Sequence, residues 1–434
     1  MMQETSVSPD APVPASRQRT FARPQQPALR RAWRAPAEPV DALTTCMHKK
    51  ACGGCRYVNN DYKSSLDTKY NAGLAELESA GLLKGLKILP PVPSPRPLGY
   101  RTLFKLAVRP GFGRKFAIGL FQPGTHRVGP SMETCPVHVS ALTRMLRDLQ
   151  TELETSSLTP FDENAGEGDL RYLVARASHL TGEIQLTFVV TKPQKVELTR
   201  IVGRLKSLGH KIASSHMNIN ADSGNAIFGK ETVRIGGTDG LRERINDLGY
   251  EISPTSFFQI NPWQAAQLYN RVAEFAGPAP SSSAVAWDLY CGNGQIAMTL
   301  AKSGWRVLGI EENTAAAASA LLNAERNELD SKITIHAARV EDSEKDIPKW
   351  ASTPSLIVVN PSRRGLHENA RSMLAHMLRL NPSTRFIYVS CDVTTLKRDL
   401  AFLVESGCRV RHVEGFDMFA QTDQMEWLAV VSRA

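Results

Sequence analysis

The 434-residue sequence has no apolar run approaching the ~20 residues needed to cross a bilayer core, so no membrane-spanning helix is expected. It lacks an even complement of cysteine: the seven thiols are Cys46, Cys52, Cys55, Cys135, Cys291, Cys391 and Cys408. Nor does it open on a charged start followed by an apolar core, the pattern of a secretory signal. These absences argue against a disulfide framework. They favour a reduced, cytoplasmic setting in which thiols act as ligands or catalysts. Acidic residues are in deficit, 43 against 52 lysines and arginines, which gives a formal charge of +9. That balance is compatible with a polyanionic partner.

Residues 1–44 lack lysine and any sustained hydrophobic period, yet hold Arg17, Arg19, Arg23, Arg30, Arg31 and Arg34. This composition reads as a disordered basic tail able to touch RNA. The absence of acids from residues 11–37 leaves an organellar transit peptide as the alternative. The remaining length allows two or three domains. No internal repeat is seen.

From residue 284 onward, apolar runs alternate with helical patterns. Strands are expected over Ala284–Tyr290, Trp305–Glu311, Lys332–Ala337, Ser355–Asn360, Arg385–Cys391, Cys408–Phe416 and Glu426–Ser432, with helices between the first six. Such alternation implies an α/β fold with a mostly parallel, doubly wound sheet. The short link between the last two strands excludes a helical crossover, so one of them should run antiparallel.

The first strand enters "DLYCGNGQIA", where Asp288, Gly292 and Gly294 form D-x-x-x-G-x-G at a strand-to-helix turn. Glycines there let the backbone turn tightly and approach a ligand. The third glycine of a dinucleotide fingerprint is missing; Ala297 stands in its place. Glu311 ends the second strand, where a carboxylate can hold a ribose diol. The combination suits an adenosine-containing ligand, S-adenosylmethionine rather than NAD.

The fourth strand delivers "NPSRRG" and the fifth delivers Cys391 to the carboxyl edge of the sheet, where open α/β sheets bind ligands. A cysteine after a strand is ordinarily a small buried hydrophobe. Its position at this edge makes it a candidate nucleophile instead.

Upstream, Cys46, Cys52 and Cys55 form C-x5-C-x2-C, and Cys135 stands in "METCPVH". Four thiolates suit either zinc or an iron–sulfur cluster. His48 is read as a solvent-facing loop residue. "GNAIFGKE" (Gly224–Glu231) nearly matches a phosphate-binding loop, but Glu231 replaces the hydroxyl that would hold magnesium, so a hairpin is expected there.

Five stretches, "SFFQINPWQA", "DLYCGNG", "VNPSRRG", "SCDVTTLKRDL" and "FDMFAQTDQMEWLAVV", in this order, resemble the RNA uracil-C5 methyltransferase family. The resemblance runs from Cys46 to the C-terminus. It implies a Rossmann-like class I methyltransferase domain with a seven-stranded sheet at residues 246–434. It also implies an iron–sulfur cysteine segment at 45–90, with its fourth ligand at Cys135, and a central α/β, RNA-facing domain at 91–245. Cys391 would be the nucleophile that attacks carbon 6 of uracil, and Glu426 the base that later removes the proton from carbon 5. Gln259, Tyr290, Gln295, Glu311 and Asn360 would line the S-adenosylmethionine site, and Arg363 would contact uracil or phosphate. Cys46, Cys52, Cys55 and Cys135 would hold a [4Fe–4S] cluster, with zinc as the alternative. The absence of strand patterning in residues 1–44 argues against an N-terminal β-barrel RNA-binding module and points to the branch acting on 23S rRNA, with tRNA as the other substrate. The protein is expected to act as a monomer. A non-catalytic RNA-binding protein that keeps the fold is the rival reading. Three departures from the family pattern stand out: Ser362 follows Asn360-Pro361, Asp392 follows Cys391, and Arg339 falls where an acid or amide would face the adenine.

Overall fold

The computed structural model describes residues 46–434 other than 223 and 225, so the arginine-rich segment 1–44 lies outside the described residues. Two helices come first, α1 (Lys49–Cys52) and α2 (Tyr62–Glu78). The latter is capped by Asp61, whose carboxylate accepts the Ser64 amide at 2.7 Å.

A six-stranded sheet follows, built from β1 (Leu103–Pro110), β2 (Phe116–Gly119), β3 (Leu170–Ala177), β4 (Ile184–Val190), β5 (Ile212–Ile219) and β6 (Glu231–Gly237), in the order β2-β1-β3-β4-β5-β6. Helices α3 (Ser140–Glu154) and α4 (Lys195–Ser207) cover it. On α3, Leu142, Met145, Leu146, Leu149 and Leu153 recur at helical spacing and are all buried. Only β4 and β5 are parallel, joined by the crossover helix α4. The stretch quoted from this region ends at Glu231, the first residue of β6, which pairs antiparallel with β5. It therefore lacks the strand-to-helix setting of a phosphate loop.

The hairpin β7 (Leu241–Ile245) and β8 (Leu248–Ile252) packs with α5 (Pro262–Ala276) into the core beneath the second sheet. The division expected between residues 245 and 246 thus falls inside this hairpin. The second sheet alternates strand and helix: β9 (Val285–Leu289), α6 (Gln295–Lys302), β10 (Arg306–Glu311), α7 (Thr314–Arg326), β11 (Ile333–Ala337), β12 (Leu356–Val359), α8 (Glu368–Leu380), β13 (Arg385–Ser390), α9 (Val393–Glu405), β14 (Cys408–Phe416) and β15 (Glu426–Arg433). Its order is β11-β10-β9-β12-β13-β15-β14, with β15 antiparallel to both neighbours. Strand order reverses between β9 and β12, which opens a crevice at their carboxyl ends. The helix expected between β11 and β12 does not form. Three 3-10 turns, Val340–Asp342, Glu344–Asp346 and Lys349–Ala351, occupy that connection. Pro348 withholds an amide donor there, which an α-helix interior needs.

Segment 45–90 holds both the first three cysteines and α2. Leu66, Tyr70 and Leu77 of α2 and the following Leu82 join the core of the second sheet. Tyr70 stacks on Trp427 of β15 with ring centroids 5.5 Å apart. Gly73 permits this approach, since a Cβ there would lie 2.0 Å from the Trp427 ring. No helix among the described residues is long and apolar enough to cross a membrane. Gly73→Ala is expected to cost about 1–3 kcal/mol through overpacking, read as a lowered midpoint in urea unfolding.

Candidate active site

Cys391 sits at the corner between β13 and α9. Asp392 caps α9 by accepting the Thr395 amide at 3.0 Å, and the Ser390 hydroxyl donates to the Asp392 carbonyl at 2.9 Å. These bonds fix the corner, leaving the thiol half-buried. Burial pushes the thiol up to about 11; the Glu426 charge adds to the rise and Arg363 opposes it. Ser390 pairs with Trp427, so Cys391 and Glu426 leave adjacent strands at the same edge. Glu426 is buried, and desolvation raises its carboxyl to about 8, again against the pull of Arg363. Arg363 donates to the Gln424 side chain at 2.6 Å. The cationic guanidinium therefore favours the ionised forms of both groups. A cleft beside Cys391 is lined by Arg56, Tyr57, Thr68, Gln424 and Trp427.

Asp399, which sequence reasoning passed over, supports the Arg363 loop. Its buried carboxylate accepts the Leu366 amide at 2.8 Å, Tyr388 Oη at 2.7 Å, Arg398 Nε at 2.8 Å and Arg371 Nη1 at 3.1 Å. The available signal was a lone acid on the buried face of α9, among Leu396, Leu400 and Leu403. Gln424 was missed as well, because it acts through a partner 61 residues away.

At the crevice between β9 and β12, Tyr290 leaves β9 with φ 62°, a left-handed conformation uncommon for a bulky residue. Gly292 and Gly294 continue the turn with φ 54° and 79°. A Cβ on Gly292 would meet nothing within 4 Å, so the space above it is open. Glu311 accepts the Gly292 and Asn313 amides, each at 2.9 Å, one on each carboxylate oxygen. Asn360 follows β12 directly, its amide on the Leu289 carbonyl at 3.2 Å. Gln295 Nε2 and Asn293 Oδ1 are buried with no hydrogen-bond partner, so two polar atoms await a ligand at this turn. The residues present thus fit an adenosine-type group. Asp288, wholly buried beneath them, is pushed up to about 8 by desolvation, with the Glu311 charge adding.

Gln259 hydrogen-bonds Tyr269, whose hydroxyl is raised by burial, by the Glu426 charge and by that of Asp288 beneath the turn. Two residues earlier, the Phe257 carbonyl accepts from Asn293 Nδ2 of the turn at 2.6 Å. Arg339 is neutralised by acids of its own neighbourhood: Glu341 at 2.5 Å, with Glu312 and Asp342 at 4.0 Å.

Cys46, Cys52, Cys55 and Cys135 line one cavity, together with Met132 and His138. Burial pushes the Cys55 thiol up to about 12, and the charges of Cys135 and Cys52 push the same way. Among the described residues, no three His, Cys, Asp or Glu side chains approach closely enough to hold one metal ion. That holds for zinc and for an iron–sulfur cluster alike. Four soft donors spaced around a cavity match the donor type of a thiolate-bound cluster. His48 lines the same cavity and meets Thr134 Oγ1 at 3.4 Å in an exposed contact.

A family model described as tRNA (uracil-5-)-methyltransferase matches residues 172–433. The chain is 30% identical over 381 residues to an uncharacterised RNA methyltransferase of Oceanobacillus iheyensis, covering 87% of this chain and 81% of that protein. A similar protein of Bacillus cereus is 28% identical over 391 residues, covering 89% and 82%. Among solved structures, the tRNA (uracil-54, C5)-methyltransferase of Pyrococcus abyssi, in complex with S-adenosyl-L-homocysteine, superposes with a TM-score of 0.67. It is 24% identical, over 88% of this chain and 86% of that one.

Glu426 ionises far above the ordinary carboxyl value of 4.5 in the folded protein, at about 8. A raised carboxyl contributes stability that is full below the unfolded value and is lost as pH rises through the folded one. Glu426→Gln removes that loss. The variant's thermal midpoint, relative to the parent, is expected to climb between pH 5 and pH 9 in scanning calorimetry.

Proposed function

The chain belongs to the tRNA (uracil-5-)-methyltransferase family, and from that premise we propose that it methylates carbon 5 of one uridine in 23S rRNA through a covalent Cys391 adduct. The observation that carries this reading is the pairing of Cys391 with Glu426 on neighbouring strand ends, both facing the charge of Arg363. Gln259, Tyr290, Gln295, Glu311 and Asn360 would hold S-adenosylmethionine, whose sulfonium would supply the methyl group and leave as the neutral thioether.

The Cys391 thiolate adds to carbon 6 of a uridine flipped out of its helix, and the ring electrons move to carbon 5. Carbon 5 takes the methyl group and still holds its original hydrogen. The Glu426 carboxylate removes that proton. The electron pair re-forms the C5–C6 double bond and expels the thiolate. Arg363 assists twice, favouring the thiolate at the start and the carboxylate at the end. Cys391 and Glu426 must both lose a proton to act and both are raised, so turnover should increase with pH through about 8.

The same chemistry on a tRNA uridine is the second reading, favoured by the likeness to the Pyrococcus abyssi enzyme. Unmodified 23S rRNA and unmodified tRNA are each incubated with methyl-labelled S-adenosylmethionine, and 5-methyluridine is mapped by mass spectrometry. Product at one rRNA site, abolished by Cys391→Ala, supports the first reading. Product in tRNA alone transfers the mechanism to the second, and none in either removes both.

The four cysteines around the upstream cavity would hold a [4Fe–4S] cluster whose duty is structural or in RNA contact. Protein purified anaerobically should then show broad absorbance near about 400 nm, lost in Cys55→Ser. A colourless protein with bound zinc would overturn this assignment.

A further inference from the structure

Between Phe416, the end of β14, and Glu426, the start of β15, residues 417–425 run without helix or strand. Their carbonyls have no ladder to accept from and must find donors elsewhere. Lys69 of α2 supplies three of them. Its ammonium donates to the carbonyls of Phe419 and Thr422 at 3.2 Å and of Gln424 at 3.1 Å, and meets Asp417 Oδ1 at 2.5 Å. The Lys69 and Asp417 side chains are 3% and 0% exposed. Tyr62 donates to the other Asp417 oxygen at 2.7 Å.

Three further donors reach the segment from elsewhere. Asn261 Nδ2 reaches the Met418 carbonyl at 3.2 Å, Tyr100 Oη the Ala420 carbonyl at 2.8 Å, and the Tyr57 amide the Gln421 carbonyl at 2.9 Å. Gln421 is held at φ 70°, a conformation an L-residue keeps only when its surroundings over-determine it. Gln424 of this segment is bonded to Arg363, and Glu426 follows the segment directly as the first residue of β15.

We propose that Lys69 is a positioning residue for proton removal, holding residues 417–425 so that the Glu426 carboxylate meets carbon 5 of the methylated adduct. The proposal rests on the reading of Glu426 as the base. Lys69 touches neither substrate nor donor in it. A misplacement of about 1 Å at a reacting group costs roughly 10²-fold in rate, and a floppy 417–425 segment would allow that much.

The test separates adduct formation from release. Lys69→Met, Tyr100→Phe and Glu426→Gln are mixed with S-adenosylmethionine and substrate RNA, and protein–RNA adducts are resolved on a denaturing gel beside turnover. Lys69→Met should lower kcat by roughly 10²-fold while the methylated Cys391–RNA adduct accumulates, as in Glu426→Gln. Its affinity for S-adenosylmethionine should be unchanged by calorimetry. Tyr100→Phe removes one of these bonds without stranding Asp417, and should show the same adduct with a drop in kcat of about tenfold. If Lys69→Met fails to fold, Tyr100→Phe decides. Turnover at the parent rate, or slow turnover without adduct in both variants, overturns the proposal. If the parent enzyme itself methylates no uridine while donor binding persists, the reading of the site fails instead.

Discussion

A buried ammonium is tolerable only where charge and hydrogen-bond acceptors surround it, and Lys69 meets that requirement with Asp417 and three carbonyls. The consequence reaches across the molecule. Helix α2 comes from the N-terminal segment, yet its inner face is built into the second sheet, and its lysine orders the irregular stretch before β15. Removing that cation would leave Asp417 buried and unpaired, a loss of about 3–5 kcal/mol. The edge of the sheet that presents Cys391 and Glu426 is thus finished by residues from the other end of the chain.

The electrostatics at that edge follow from burial opposed by one guanidinium. Desolvation holds both Cys391 and Glu426 toward their protonated forms, and Arg363 is the cation that works against it for each. Because Arg363 is tied to Gln424, and its loop to Asp399, the charge is delivered by a fixed frame rather than by a free side chain. A thiol raised this way stays largely protonated near neutral pH, which limits its reaction with electrophiles.

Much of the second sheet was legible because its strands are continuous apolar runs; the observed ends fall within one residue of those expected from residue 284 onward. The G-x-G turn and Glu311 were legible for a similar reason: tight turns and strand-end acids leave local marks. What escaped sequence reasoning depends on distance. Lys69 meets Asp417 across 348 positions, and nothing in the local pattern of α2 distinguishes it from a solvated lysine. Asp399 looks like one more charge on a helix until its four donors are placed around it. Nor does the local sequence show that α2 is held by the apolar core of the second sheet.

The central claim is that Cys391 forms the covalent bond and Glu426 acts after methyl transfer. Substrate RNA carrying 5-fluorouridine at the target tests it directly, since carbon 5 then holds fluorine in place of the proton that Glu426 must remove. Incubated with S-adenosylmethionine, the protein should gain the mass of the methylated RNA, and digestion should place the link on Cys391. A link on another residue, or no adduct from RNA whose unfluorinated form is methylated, would contradict the account.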